Sequence, residues 1–230
     1  MNEDLLYIED ANNRKLYYRF SPSVVTSNFV PLLVNLHGEA GVGAEHFEYK
    51  MWNVLTPIDD FGYENKGSCW LGEKGDFFVK DLLQKLIYQL ADTYECEDHI
   101  YLYGSGMGGY GAILHGMLCK ANAIYAHAPY IRLMPSQETN AKMHYLFDTI
   151  FGETVSKEND LSNFLNPTDS FPIFYLSHNK DDFEDDTTYF VNACKKHSIR
   201  FHLESSSKSV EDENHTLKEV LSMLERMSSQ

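Results

Sequence analysis

One stretch in the middle of the chain restricts the fold more than any other, Tyr101-Leu-Tyr-Gly-Ser-Gly-Met-Gly-Gly-Tyr-Gly-Ala112. An apolar run, His99 to Tyr103, leads into a cluster of glycines, and a helix-like run, Tyr110 to Leu118, leaves it. This order predicts a strand, a very tight turn and a helix. Glycines suit such a turn because its backbone is strained and two segments pass close together.

The glycine turn, residues 104–108, is similar to the Gly-x-Ser-x-Gly turn that carries the nucleophile of α/β-hydrolases, with Gly104 and Gly108 as the outer pair. It resembles more closely the Gly-Ser-Ser-Met-Gly-Gly-Tyr-Gly-Ala turn of one branch of that fold. That branch contains the capsular polysaccharide and accessory secretion-system O-acetyltransferases. The similarity extends from about Leu32 to about Leu217. In this chain the middle residue is Gly106, so the hydroxyl at the nucleophile position is missing.

The same glycines also fit Gly-x-Gly-x-x-Gly, the phosphate-binding pattern of dinucleotide folds, at Gly104, Gly106 and Gly109. Two features count against this alternative. The turn lies in the middle of the chain rather than in the first βα unit, and no acidic residue closes a second strand about 20 residues further on.

The resemblance implies an α/β-hydrolase fold, with a mostly parallel central sheet, helices on both faces and a small helical cap. The 230 residues are expected to form a single domain, since this length is ordinary for one α/β unit. An antiparallel hairpin made by residues 5–8 and 15–20 is expected to precede the sheet. Residues 133–167 are more polar and less periodic, and we expect them to form a cap insertion over the site.

Two predictions concern the segment before the glycine turn. Residues 47–55 are aromatic and irregular in pattern, so no regular element is expected there. The run from Phe77 to Tyr94 carries apolar residues on one face, as is typical of an amphipathic helix. Asp76 precedes this run and is expected to cap the helix.

The resemblance also implies the other two members of a catalytic triad. His215 lies between the last predicted strand, residues 199–203, and the last predicted helix, residues 217–227. This is the position of the catalytic histidine in α/β-hydrolases. The acid that orients this histidine comes from the loop after the strand 172–177, where Asp181 and Asp182 both fit. Asp182 is preferred by analogy with the Gly-x-x-Asp loops of relatives.

The acidic loop at 181–186 has a second interpretation. It is equally typical of a solvated loop that opens a helix over 187–197, with Asp186 as its N-cap. No ordered spacing of ligands in this loop, or elsewhere in the chain, predicts a metal site.

The dipeptide His37-Gly38 follows the buried strand predicted over residues 31–36. In the family that the chain resembles, a backbone N–H after such a step forms half of the oxyanion hole. The resemblance therefore assigns the N–H groups of Met107 and Glu39 to this hole, with Ala40 as the alternative to Glu39. His37 is a candidate substrate contact, and the alternative is that it only ends the strand.

Two further rings are candidates for the substrate pocket. The stretch around Trp70 resembles a Trp-Leu-Gly…Gly-Asp segment of the same family, and a flat ring suits the face of a sugar. The alternative for Trp70 is packing in the core. His127 ends the strand predicted over 121–127, where a buried structural histidine is preferred over a ligand contact.

Composition limits the partners and the compartment. A formal net charge of −15 argues against a nucleic-acid surface or an anionic membrane surface, since both need basic faces. No apolar run reaches the ~20 residues of a membrane helix. The four cysteines are scattered and suit a reducing compartment, and the first residues do not resemble a signal peptide. The expected location is the cytoplasm, and the oligomeric state is left open.

The chemistry implied by the resemblance is serine-type acyl transfer, without a resident cofactor or metal. The acyl group of a donor such as acetyl-CoA would pass to water in an esterase, or to a saccharide hydroxyl in an O-acetyltransferase. The motifs do not separate these two outcomes.

Gly106 is expected to silence this chemistry, because loss of a triad serine removes about 10⁴- to 10⁶-fold in kcat. Ser105 is not expected to replace the missing hydroxyl. Three explanations stay open: an engineered change, a natural pseudoenzyme, or a water nucleophile activated by His215. The alternative function is a silent homologue that binds a carbohydrate or a partner.

Overall fold

The computed structural model describes residues 5–27, 29–39, 45–134, 141–166, 168–179, 184–206 and 217–228. The described residues contain one sheet of eight strands. In chain order the strands are β1 (Leu6–Glu9), β2 (Lys15–Ser21), β3 (Leu32–Leu36), β4 (Asn53–Ile58), β5 (Ile100–Ser105), β6 (Ala123–His127), β7 (Ile173–Asn179) and β8 (Phe201–Ser206).

Five α-helices accompany these strands within the described ranges. They are α1 (Phe78–Thr93), α2 (Met107–Leu118), α3 (Ala141–Phe151), α4 (Glu184–Lys196) and α5 (Leu217–Ser228). Short 3₁₀ turns occur at Tyr63–Asn65, Lys157–Asn159 and Leu161–Phe164. None of the described helices combines the length and the apolar character that a membrane crossing requires.

The strand order places the turn after β3 beside the turn after β5. Across the sheet the order is β1-β2-β4-β3-β5-β6-β7-β8. β1 and β2 form the predicted antiparallel hairpin, β2 pairs antiparallel with β4, and the remaining pairs are parallel. From β3 the chain continues to β4, and from β5 it continues to β6. These two neighbours lie in opposite directions along the strand order, so the connections after β3 and β5 diverge. Ligands of open α/β sheets bind at such a switch point, at the carboxyl ends of the strands.

Hydrophobic clusters cover both faces of the sheet. Along β5, Leu102 belongs to the larger cluster and Tyr101 to the smaller one. Successive side chains of a strand point to opposite faces, so the two clusters lie on opposite sides. The larger cluster takes the buried side chains of α1, α2 and α4, and the smaller cluster takes those of α5. Helices therefore cover both faces, as predicted.

The structure corrects only the end of the segment 47–55 that was predicted to be irregular, since residues 47–52 lie in no helix or strand. Residues 53–58 form β4, and all six are buried. A strand that is buried on both faces shows no alternation of polar and apolar residues. In addition, Pro57 lies opposite Tyr18 in the ladder with β2, and proline is unusual inside a sheet because it lacks an N–H.

The prediction that Asp76 caps the next helix is also wrong. Helix α1 begins at Phe78, and the residue at its cap position makes no side-chain cap hydrogen bond. The Asp76 carboxylate instead accepts a hydrogen bond from Arg14 Nη1 at 2.5 Å. It therefore connects the loop before α1 to the β1–β2 hairpin.

Asp186, predicted as an N-cap, has another function. It is the third residue of α4 rather than the residue before it. Its Oδ2 accepts the N–H groups of Ile131 and Arg132, each at 3.2 Å, and its Oδ1 accepts from the Arg132 guanidinium at 2.6 and 2.8 Å. Asp186 thus attaches α4 to the segment that follows β6.

The segment between β6 and β7 contains α3 and two of the 3₁₀ turns. Lys80 Nζ on α1 lies 2.7 Å from Glu158 Oε1 in this segment, and the hydroxyl of Tyr110 on α2 donates to the Glu158 carbonyl. On α3, Tyr145 stacks against Tyr63, with ring centroids 5.5 Å apart. The assignment of residues 133–167 as a cap stays a prediction.

Candidate active site

The turn between β5 and α2 consists of a single residue. β5 ends at Ser105, α2 begins at Met107, and Gly106 between them has φ 54° and ψ −115°. This backbone conformation is strained for residues with a side chain. The Gly106 N–H donates to the His127 carbonyl at 3.0 Å, and its carbonyl accepts from the N–H of Tyr110 at 3.0 Å. The turn is therefore held from β6 and from within α2.

The three glycines of the turn have different surroundings. A Cβ on Gly104 would lie 2.1 Å from the Gly108 carbonyl oxygen, and a Cβ on Gly108 would lie 2.2 Å from the Leu36 carbonyl oxygen. Both positions must therefore lack a side chain. Among the residues that the structure describes, a Cβ on Gly106 would meet nothing within 4 Å. Of the three, the middle position is thus the one where a side chain would meet no described neighbour.

The side chain of Ser105 lies on the face of the sheet that α5 covers. Side chains alternate along a strand, so Ser105 shares a face with Tyr101 and Tyr103. Those two tyrosines belong to the hydrophobic cluster that α5 covers. The geometry therefore supports the expectation that Ser105 does not take the place of a nucleophile at residue 106.

Both predicted oxyanion donors lie beside the turn. Met107 is the first residue of α2, and the first N–H groups of a helix have no acceptor within it. A Cβ on Gly38 would lie 3.2 Å from the Ser105 carbonyl oxygen, so the segment after β3 runs alongside the turn. Glu39 and Met107 line the same cavity. The alternative donor, Ala40, lies outside the described residues.

The His37 ring is bound to the protein backbone at both nitrogens. Its Nε2 accepts the N–H of Asp59 at 2.9 Å, and its Nδ1 lies 2.7 Å from the Gly38 carbonyl oxygen. Burial lowers the pKa of His37, against the opposing effect of the hydrogen bond to Gly38. Both ring nitrogens therefore have partners inside the protein, and a contact between the partly buried ring and a substrate stays a prediction.

Asp59 is a buried carboxylate that sequence analysis missed. It follows β4 directly and is 1% exposed. Its Oδ2 accepts the N–H of Ser68 at 2.7 Å and that of Trp70 at 2.8 Å, and the Ser68 hydroxyl donates to both oxygens at 3.0 Å. Burial raises the pKa of Asp59 to about 6, although these hydrogen bonds act to lower it. Recognition of β4 as a strand would have placed Asp59 at the carboxyl edge.

Trp70 packs in the core rather than in a pocket. The side chain is 1% exposed, and its Nε1 donates to the His37 carbonyl at 3.3 Å. A Cβ on Gly111 of α2 would lie 2.2 Å from the indole, so helix and ring are in direct contact. The prediction that Trp70 stacks on a sugar is therefore corrected, and the packing alternative describes the structure.

A cavity of about 280 Å³ lies beside the glycine turn. Its wall includes exposed charged groups, among them Lys66, whose Nζ is 2.5 Å from Glu64 Oε2. Its residues come from the end of β3, the loop before α1, the start of α2 and the helix α3: Glu39, Tyr63, Glu64, Lys66, Gly67, Met107 and Leu146. The lining is mostly apolar with a few charged groups, and a cavity of this kind suits a small ligand.

The end of β6 contains a short chain of hydrogen bonds. His127 Nδ1 lies 2.9 Å from the Ser177 hydroxyl, which lies 3.0 Å from the hydroxyl of Tyr125. His127 is half-buried and held by β7 through this contact. The arrangement agrees with the structural interpretation of His127.

The predicted triad acid and histidine cannot be placed. Asp181, Asp182 and His215 lie outside the described residues. Among the residues that the structure does describe, no group of three His, Cys, Asp or Glu side chains is arranged to hold a metal ion. All four cysteines are buried free thiols.

Comparison with known proteins identifies the fold. Family models and curated protein sequences gave no match to the chain. Among solved structures, S-formylglutathione hydrolase from Agrobacterium tumefaciens has a TM-score of 0.69 and 14% identity, over 97% of this chain and 91% of that one. The serine hydrolase FphF from Staphylococcus aureus has a TM-score of 0.66 and 14% identity, over 98% and 96%.

Larger enzymes contain the same unit. Dipeptidyl peptidase 4 from Porphyromonas gingivalis matches with a TM-score of 0.66 and 14% identity over 98% of this chain, which spans only 35% of that protein. These similarities, together with the strand order, show that the chain has the α/β-hydrolase fold predicted from the glycine turn.

The glycine geometry predicts an order of stabilities. Gly106→Ala should lower the free energy of unfolding by about 1–3 kcal/mol, from backbone strain alone. Gly108→Ala should lower it further, because its Cβ would overlap the Leu36 carbonyl oxygen, even though alanine favours a helix. Urea unfolding of both variants measures the difference. Equal losses, or a larger loss for Gly106→Ala, would contradict this account of the turn.

Asp59 predicts a dependence of stability on pH. In the folded chain its carboxyl keeps its proton up to about pH 6, whereas the group's ordinary value is 3.8. The folded state therefore binds more protons between these values, and its stability falls as the pH rises through that window. Relative to Asp59→Asn, which does not titrate, the unmodified chain should lose up to about 3 kcal/mol between pH 4 and pH 6. Chemical unfolding across this range measures it, and a constant difference would refute it.

Proposed function

We propose that the chain is built around the acyl-transfer site of a serine-type esterase or O-acetyltransferase, and that Gly106 makes this site silent. A serine at residue 106 would donate its proton to His215, which Asp182 would orient. The N–H groups of Met107 and Glu39 would stabilise the tetrahedral oxyanion. The fold is shared with serine hydrolases, which supports the proposal at the level of architecture.

One observation carries the proposal. Of the three glycines at 104, 106 and 108, two are forced by backbone contacts, whereas a Cβ on Gly106 meets no atom of the described ranges within 4 Å. The apex of the turn therefore has room for a side chain, as the position of a nucleophile requires. The backbone at residue 106 has φ 54° and ψ −115°, which is strained for any residue with a side chain. Such strained positions are concentrated at functional sites.

The substrates follow from the resemblance and from the cavity. We infer a small acyl donor, such as acetyl-CoA, and a saccharide acceptor. The polar groups of Glu39, Glu64 and Lys66 line the cavity beside the turn, where they could bind hydroxyl groups. The four buried free thiols support a reducing compartment, and so a cytoplasmic location.

The proposal is tested by restoring the hydroxyl. Gly106→Ser should raise the rate of p-nitrophenyl acetate hydrolysis by at least about 100-fold over the unmodified chain, because a triad serine supplies most of the rate. The rate is measured for both chains at equal concentration of folded protein.

Two control variants test which residues the increase in hydrolysis rate depends on. His215→Ala in the Gly106→Ser chain should abolish it, and Ser105→Ala in that chain should leave it unchanged. A folded Gly106→Ser chain that stays at background would refute an acyl-transfer site. Activity of the unmodified chain that depends on His215 would instead identify a water nucleophile.

The second candidate function is a binding protein for an acylated saccharide. It is favoured by the cavity that persists beside a turn without a nucleophile. Tyr63, 41% exposed, lines this cavity. Tyr63→Ala should weaken binding of an acetylated oligosaccharide to the unmodified chain about tenfold, through the loss of one aromatic contact.

The matched control is a tyrosine away from the cavity. Tyr7 on the edge strand β1 is 49% exposed, and Tyr7→Ala should leave the affinity unchanged. Calorimetry with the same oligosaccharide compares the two variants. Equal affinities of both variants and the unmodified chain would rule out binding at this cavity.

A further inference from the structure

The imidazole of His37 has a defined protonation state. Its Nε2 faces the backbone N–H of Asp59, which can only donate, so Nε2 carries no hydrogen. The hydrogen is therefore on Nδ1, which donates to the Gly38 carbonyl oxygen 2.7 Å away. The ring is neutral, and it connects the end of β4 to the end of β3.

This hydrogen bond acts on a whole peptide unit. The unit between Gly38 and Glu39 is planar, and in a trans peptide the C=O and the N–H point in opposite directions. A bond that holds the Gly38 carbonyl therefore also fixes the direction of the Glu39 N–H. We propose that His37 is a positioning residue, which aims the Glu39 N–H as the second oxyanion donor for a nucleophile at residue 106.

The groups around His37 keep its ring in one orientation. The Asp59 carboxylate is fixed by the N–H groups of Ser68 and Trp70, which hold the chain just after β4. The Trp70 indole packs against the His37 ring, with centroids 4.8 Å apart, and donates to the His37 carbonyl. The donor is thus set before any substrate binds, and such preorganisation is what makes an oxyanion hole effective.

Two substitutions separate the two hydrogen bonds of His37. In His37→Asn, the side-chain NH₂ lies near the place of Nδ1, so it keeps the donor to Gly38 and loses the acceptor for Asp59. In His37→Gln, the side-chain oxygen reaches the place of Nε2, so it keeps the acceptor and loses the donor. The two variants are similar in polarity, which makes each a control for the other.

The kinetic test rests on the proposed function and uses the Gly106→Ser chain with p-nitrophenyl acetate. His37→Gln should lower kcat on the order of 10- to 100-fold with KM within about twofold, since one oxyanion donor is misdirected. His37→Asn should keep kcat within about threefold. An unchanged kcat in His37→Gln would overturn the proposal. A rise in KM alone, in both variants, would make His37 a substrate contact and also overturn it.

A second measurement needs no activity. In the chain with Gly106, ¹⁵N NMR should show His37 neutral and protonated at Nδ1. Both variants lose the ring current of the imidazole, so the Glu39 amide should shift in both, and it should shift further in His37→Gln than in His37→Asn. A proton at Nε2, or an equal shift of the Glu39 amide in the two variants, would overturn the proposal. If Gly106→Ser is inactive, the proposed function fails, and the NMR result still decides whether His37 positions the Glu39 amide.

Discussion

The structure depends on one close contact between backbones. Gly104 of β5 has no room for a Cβ because the Gly108 carbonyl of α2 lies against it, and Gly108 has none because the Leu36 carbonyl at the end of β3 lies against it. A strand, its helix and the neighbouring strand are thereby fixed without intervening side chains. The single residue left between strand and helix, Gly106, is held at the switch point of the sheet, where two chain connections diverge.

Much of the fold could be predicted from local pattern. The hairpin, the helix at 78–93 and the parallel strands showed their periodicity or apolar runs, and the glycine turn identified the fold class. β4 could not be predicted, because a fully buried strand lacks alternation and contains Pro57. The caps at Asp76 and Asp186 failed for a related reason: both carboxylates bind arginines on other segments, which no local pattern reveals.

Part of the candidate site could likewise be predicted from the sequence, and part could not. Gly106 and its outer glycines were predictable, because the constraint on them lies within a few residues of sequence. The functions of His37 and Trp70 were not, because they depend on Asp59, which reaches them only once β3 and β4 lie side by side. The family resemblance made both rings candidates for ligand contacts, whereas their hydrogen bonds and packing partners lie within the protein.

The backbone at Gly106 has a consequence for how such a chain changes over generations. A serine in this conformation would cost the fold about 1–3 kcal/mol, so replacement by glycine is favourable for folding while it removes the hydroxyl. Selection for abundance therefore favours the silent form wherever catalysis is not required. A return to serine lowers the free energy of unfolding, so the rest of the chain must be stable enough to tolerate that loss. The loss of this side chain is thus easier to acquire than to reverse.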